Sequence, residues 1–104
     1  MRGAYNFTGA GMHELIPEGG RGNEKKILTH GIIKNTSAAP FVVYVGWTEE
    51  RDGVGAIIDV DASNGFPVES GETFAFDLRR EGTRVKAPVQ VYGNQAGSIR
   101  YVFE

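Results

Sequence analysis

Two segments near the end of this 104-residue sequence place large apolar residues at every second position. They cover residues 73–79 and 98–103, and the apolar residues share one face in each: Phe74, Phe76 and Leu78 in the first, and Ile99, Tyr101 and Phe103 in the second. A strand with one buried face needs this pattern, whereas an amphipathic helix repeats every 3.6 residues. The pattern therefore predicts two half-buried β-strands.

The sequence after residue 26 consists of further short runs rich in β-branched and aromatic residues. Fifteen glycines, about twice the average fraction of roughly 7%, fit many short strands and turns. No window of eleven residues carries a helical apolar stripe. We therefore predict an all-β fold, a compact antiparallel β-sandwich or jelly-roll-like barrel. Its predicted core includes Ile33, Val43, Val45, Phe74, Phe76, Leu78, Val91, Ile99, Tyr101 and Phe103.

Residues 1–26 differ from this body, residues 27–104, because they hold six glycines and no sustained periodicity. We interpret them as an extended Gly-rich N-terminal arm that cannot close a core of its own. Its large apolar side chains are expected to bind a neighbouring subunit: Tyr5, Phe7, Met12, Leu15 and Ile16. The alternative is that the arm folds back onto its own body as an extra strand.

Composition argues against several classes of function. The chain has no cysteine, which removes disulfides, thiolate nucleophiles and zinc–thiolate sites. A net charge of −2 gives no strong attraction to nucleic acid or to an anionic membrane, so neither is an expected partner. The first residues have no apolar stretch behind a basic start, so a secretory signal is not expected.

Catalytic and metal-binding motifs do not emerge from the sequence. His13 and His30 have no serine or acid at a recognisable spacing, and no nucleophile elbow, zinc-protease or phosphate-loop motif occurs. Residues 59–65 are similar to the start of a calcium loop, but Ser70 stands where the bidentate glutamate is needed. We therefore predict a protein that is not an enzyme and that holds no cofactor and no metal.

Two charged segments are candidates for contacts with partner chains. The basic segment contains Arg79, Arg80, Arg84 and Lys86, and the acidic segment contains Glu49, Glu50 and Asp52. Complementary charges steer association, and salt weakens this steering. The alternative is that both segments are solvated loops, the basic one protecting the edge of a sheet.

The order of five short pieces after Ile32 resembles a recurring small β-protein of phage and prophage structural modules. The pieces are Ile33-Lys34-Asn35-Thr36-Ser37, Val43-Tyr44-Val45-Gly46, Asn64-Gly65-Phe66-Pro67-Val68, Ser70-Gly71-Glu72-Thr73-Phe74 and Ile99-Arg100-Tyr101-Val102-Phe103-Glu104. Trp47 replaces a glycine that is usual in this family, and residues 48–62 lengthen the next connection. Both departures, and Trp47 in particular, are candidates for partner-specific contacts.

The family is associated with the virion surfaces of tailed bacteriophages. The resemblance implies a capsid decoration or cement protein, made in the host cytoplasm, that binds the major capsid protein on the outer shell of the virion. It also implies a homo-oligomer, with a trimer favoured. One alternative is a tail or head-fibre attachment protein. Another is a carbohydrate-binding β-sandwich that uses exposed aromatic residues as stacking platforms: Trp47, Tyr44 or Tyr92.

Overall fold

The computed structural model describes residues 2–16, 30–46, 52–56, 58–77 and 89–103. These residues form eight β-strands: β1 (Arg2–Phe7), β2 (Gly11–Ile16), β3 (His30–Asn35), β4 (Val43–Gly46), β5 (Phe66–Val68), β6 (Thr73–Asp77), β7 (Val89–Gly93) and β8 (Gly97–Phe103). The same residues contain no helix, and so none that is long and apolar enough to cross a membrane.

The strands form two four-stranded antiparallel sheets. Sheet A has the order β1-β8-β3-β6, and sheet B has the order β2-β7-β4-β5. The pairs β1 with β8, β2 with β7, β3 with β6 and β4 with β5 are nested, as in one long hairpin folded over on itself. This is the strand order of a jelly roll, a fold of two antiparallel sheets. The predicted all-β antiparallel sandwich is therefore confirmed.

The core lies between the two sheets and contains most of the predicted residues. Six of these are buried: Ile33, Val43, Val45, Val91, Ile99 and Phe103. Phe74 and Tyr101 are partly buried and pack against this cluster. The side chain of Phe76 and the whole of Leu78 lie outside the described residues.

The predicted N-terminal arm is wrong for residues 2–16, which form an edge strand in each sheet. β1 pairs with β8 in sheet A, and β2 pairs with β7 in sheet B. Phe7 and Leu15 are only 6% and 5% exposed and belong to the core. The alternative, in which this segment folds back onto the body, is the one observed. Residues 17–26 of the predicted arm lie outside the described part of the chain.

A buried asparagine joins the two sheets at the end of β3. The side-chain amide of Asn35 donates hydrogen bonds to the carbonyl oxygens of Phe41 at 3.1 Å and of Val68 at 3.0 Å. Its side-chain oxygen accepts a hydrogen bond from the Ser37 backbone N–H at 3.0 Å. Asn35 is 0% exposed, and its polar groups are paired as burial requires. Because Val68 lies in sheet B, this side chain holds the two sheets together.

Candidate docking face

The outer face of sheet A carries side chains in rows that cross all four strands. One row contains Arg2, Val102, Ile32 and Ala75, and the next contains Ala4, Arg100, Lys34 and Thr73. Ile32 and Val102 are 45% and 38% exposed, although both are large and apolar. These two rows include three cations and no carboxylate. We call them the docking face, a surface that combines apolar area with positive charge.

Two of these cations face each other at the centre of the docking face. Lys34 on β3 lies directly opposite Arg100 on β8, and both side chains are exposed. Residues opposite each other on one face of a sheet have Cβ atoms about 4.5–5.5 Å apart, and like charges in this position are destabilising. A repulsive pair that does not stabilise the isolated fold is typical of a functional site.

An open depression of about 630 Å³ lies beside this pair. It is lined by Ala4, Asn6, Lys34, Thr36, Ser98, Ile99 and Arg100. Ala4, which pairs with Arg100 across β1 and β8, has a small side chain and also lines the depression. Two cations with hydroxyl and amide groups around them form a suitable environment for a carboxylate or another small anion.

Hydrogen bonds fix the end of the depression where β3 leaves the sheet. The hydroxyl oxygens of Thr36 and Ser98 lie 3.0 Å apart, and the Thr36 backbone N–H donates to the Ser98 carbonyl at 3.2 Å. The Ser98 backbone N–H in turn donates to the Ser37 hydroxyl oxygen at 2.7 Å. These bonds tie the end of β3 to the start of β8. The strands that carry Lys34 and Arg100 are therefore held in one register.

The outer face of sheet B carries a different surface. One row across its four strands contains Met12, Tyr92, Tyr44 and Pro67. The ring centroids of Tyr44 and Tyr92 are 6.3 Å apart, and the ring planes are tilted by 52°. This row brings together two of the three aromatic residues considered as sugar platforms, although the rings do not share a plane. Trp47, the third, lies outside the described residues.

The predicted partner-binding residues are found in different settings. Phe7 and Leu15 are wrong as partner contacts, because the core of the chain itself buries them. Tyr5 is half-buried, with its ring 4.8 Å from that of Phe7 and stacked on His13 at 3.7 Å. Met12 is 38% exposed on sheet B. Five others lie outside the described residues: Trp47, Arg79, Arg80, Arg84 and Lys86. For Ile16, the backbone is described but the side chain is not.

The predicted acidic segment is described only at Asp52, since Glu49 and Glu50 lie outside the described residues. One carboxylate oxygen of Asp52 accepts hydrogen bonds from the backbone N–H groups of Val54 at 2.9 Å and Ala56 at 3.0 Å. Asp52 therefore closes its own loop. Contact between this segment and a partner chain stays a prediction.

The segment similar to a calcium loop is a turn closed by Asp61. One carboxylate oxygen of Asp61 accepts hydrogen bonds from the Ser63 hydroxyl at 2.5 Å, from the Ser63 N–H at 2.8 Å and from the Asn64 N–H at 3.2 Å. The Ser63 hydroxyl, followed by these backbone groups, lowers the pKa of Asp61 below its ordinary value. Within the part of the chain that is described, no group of three acidic or histidine side chains is arranged to hold a metal ion.

Sequence reasoning did not single out Lys34 and Arg100 as a site. The alternation in β8 put Arg100 and Ser98 on its polar face, but the register with β3 could not be read from either strand alone. The signal that was available is a basic residue at the polar positions of two strands, one in each of two resemblance pieces. Their pairing follows only from the register between β3 and β8 in sheet A.

Comparisons with protein-family models, with curated proteins and with solved structures found no match for this chain. A proposal for its function therefore depends on the resemblance in the sequence and on the geometry described above.

Proposed function

We propose that this protein is a structural component of a tailed-bacteriophage virion, a decoration or cement protein that binds the outer capsid shell. The observation that best supports this function is that the five resemblance pieces meet around Asn35. Its side chain bonds to Phe41, two residues before the second piece, and to Val68, which ends the third. Its backbone exchanges hydrogen bonds with Gly71 and Glu72 of the fourth piece at 3.0 and 3.1 Å.

The fifth piece joins the same cluster through the residues that follow Asn35. Thr36 and Ser37 bond to Ser98, the residue directly before that piece. Each piece alone is ordinary turn or strand chemistry, but hydrogen bonds join the first piece to the third and fourth and to residues next to the second and fifth. The order of the pieces is therefore tied to one arrangement of this sandwich, which supports the resemblance to the virion family over a chance likeness of turns.

The strand order agrees with this proposal at the level of fold. Jelly rolls recur in viral capsid proteins and in lectins, although a fold alone does not assign a function. The docking face adds a local argument, because exposed apolar residues beside three cations, in two rows that contain no carboxylate, suit a protein surface of opposite charge. A decoration protein needs such a face and no catalytic group.

Binding to capsids tests the proposal directly. Purified protein is mixed with expanded capsids that lack it, from the phage or prophage that encodes the chain, and the mixture is sedimented through a density gradient. We expect saturable binding at a fixed ratio to the major capsid protein. Binding to isolated tails or fibres instead would favour the attachment alternative, and binding to none of these particles would contradict a virion role.

A carbohydrate-binding module is the second candidate, favoured by the Tyr44–Tyr92 row. Adjacent aromatic rings on an outer sheet face offer apolar area for sugar rings, and Met12 and Pro67 extend that area. The test is a glycan array with the wild type and with Tyr92→Ala. The decoration proposal expects no glycan signal. Binding that Tyr92→Ala abolishes would favour the carbohydrate module.

A further inference from the structure

We infer that the depression beside Lys34 and Arg100 captures an acidic segment of a protein partner, with an aspartate or glutamate carboxylate between the two cations. The inference rests on the proposed function, to which it adds the binding surface and the chemistry of the partner. It also predicts the spacing of the residues that the partner presents.

The charge arrangement indicates an anion. Lys34 and Arg100 oppose each other, Arg2 stands on the adjacent row, and no carboxylate occurs in these two rows. A carboxylate between the two central side chains replaces their repulsion by two attractions. Arg100 offers the planar fork that binds a carboxylate through two parallel hydrogen bonds, and Lys34 offers a compact point charge.

The surroundings of the pair indicate a protein rather than a nucleic acid. Ile32 and Val102 form the adjacent row and are exposed, so the ligand must bring apolar area as well as charge. The two rows hold no aromatic residue on which a base could stack. The net charge of −2 also gives a phosphate backbone little attraction.

The spacing of the rows defines a pattern for the partner. Ile32 precedes Lys34 by two residues, and Arg100 precedes Val102 by two, so the apolar and basic rows are about 7 Å apart along the strands. An extended peptide has the same distance between side chains two positions apart. The partner segment is therefore extended, with an acidic residue and an apolar residue separated by one position.

A peptide titration tests this site without any capsid. The probe is a nine-residue peptide with aspartate and valine two positions apart, and the control peptide has asparagine in place of aspartate. We expect the aspartate peptide to shift the amide NMR signals of Lys34, Thr36, Ser98 and Arg100, and the asparagine peptide to bind at least tenfold more weakly. An aspartate peptide that leaves these signals unchanged at millimolar concentration overturns the inference.

Two double variants with the same net charge test whether capsid binding depends on this site. Lys34→Gln with Arg100→Gln takes the net charge from −2 to −4, and Val54→Glu with Ala62→Glu makes the same change at exposed positions outside the docking face. We expect the first variant to lose the peptide response and at least tenfold in capsid affinity. The second variant should keep both. Equal capsid binding by the two variants overturns the inference and leaves the proposed function intact.

The remaining outcomes separate the two proposals. If the wild type binds no virion particle but the aspartate peptide maps to Lys34 and Arg100, the proposed function fails and the site stands. If the same amide signals shift with protein concentration alone, the occupant is a second copy of the chain, and the assignment to a different partner is overturned. Stronger shifts with a DNA duplex than with the peptide would likewise overturn it.

Discussion

The side-chain amide of Asn35 in sheet A lies 3.0 Å from the backbone carbonyl oxygen of Val68 in sheet B and donates a hydrogen bond to it. Both residues are buried, so water does not compete for this bond. A polar link across an otherwise apolar core fixes how the two sheets meet, because a shift of either sheet would leave buried groups unpaired.

Replacing Asn35 by alanine should destabilise the protein strongly. The change leaves the carbonyl groups of Phe41 and Val68 and the N–H of Ser37 without their partner, and each buried group left unpaired costs roughly 1–3 kcal/mol. We expect a loss of about 2–4 kcal/mol in the free energy of unfolding, measured by urea denaturation. Asn64→Ala, at an exposed turn, is the control and should cost far less. Equal losses for the two variants would contradict the role of Asn35.

Phe7→Ala tests whether residues 2–16 belong to the domain. Phe7 is 6% exposed and its ring lies 5.7 Å from that of Phe41, so truncation opens a cavity in the core. We expect a loss of about 3–5 kcal/mol, as is typical of buried phenylalanine, whereas the exposed neighbour Thr8→Ala should have little effect. Thermal melting checks this, and a variant that melts like the wild type would restore the arm interpretation.

Features of the fold that depend on one strand alone were predicted from the sequence, whereas features that depend on pairing between distant strands were not. The faces of β8 were predicted correctly because Ile99, Tyr101 and Phe103 occupy every second position, and a period of two is a property of one strand. Phe7 and Leu15 were assigned to a partner because the glycine-rich sequence around them shows no sustained period-two pattern that would indicate strands. Their burial depends on pairing with β8 and β7, some eighty residues later in the chain, which no local pattern reveals.

The same limit applies to the candidate site and to Asn35. The segment Asn35-Thr36-Ser37 was recognised as a turn, but a turn sequence does not predict that the asparagine side chain is buried in the core. Likewise, Lys34 and Arg100 each read as an ordinary polar position of a half-exposed strand. Only the register between β3 and β8 shows that the two residues lie directly opposite each other.

One glycine in β7 and one in β8 leave room for aromatic rings that pack directly against the backbone. A Cβ atom on Gly93 would lie 2.8 Å from the Phe7 ring, and one on Gly97 would meet the Phe41 ring. Because a ring has little room to move in a packed core, Gly93→Ala should cost about 1–3 kcal/mol. Gly9→Ala is the control, since nothing lies within 4 Å of its added methyl group. Chemical denaturation of the two variants should differ accordingly.

Lys34→Glu should stabilise the isolated protein while it weakens binding to its partner. The substitution places a carboxylate opposite Arg100, so a repulsive cross-strand pair becomes an attractive one. We expect a gain of about 0.2–1 kcal/mol in the free energy of unfolding at low salt, with a loss of capsid affinity in the same variant. Calorimetry and sedimentation measure the two effects. A destabilised variant would show that the wild-type pair is not under strain.

The turn around Asp61 should respond to acid. Hydrogen bonds from Ser63 and Asn64 favour the ionised carboxylate, so the pKa of Asp61 is lower in the folded protein than in the unfolded chain. Their contribution to stability is therefore present above the unfolded-state pKa and is lost as the pH falls through the folded-state pKa. Ser63→Ala should raise the Asp61 pKa in a carboxyl NMR titration, whereas Ser98→Ala, in β8 of sheet A and away from this turn, should not.

The nested pairing of the strands has a consequence for how the protein is made. Among the eight described strands, the ribosome produces β1 and β2 before the others, yet their partners β8 and β7 are made last. β1 and β2 therefore stay without these partners, with Phe7 and Leu15 uncovered, until β7 and β8 have left the ribosome. Within this described set, only β4 and β5 are both consecutive along the chain and paired in a sheet. We therefore expect folding to start at this central pair and to proceed outwards, so that the N-terminal strands join the sheets late.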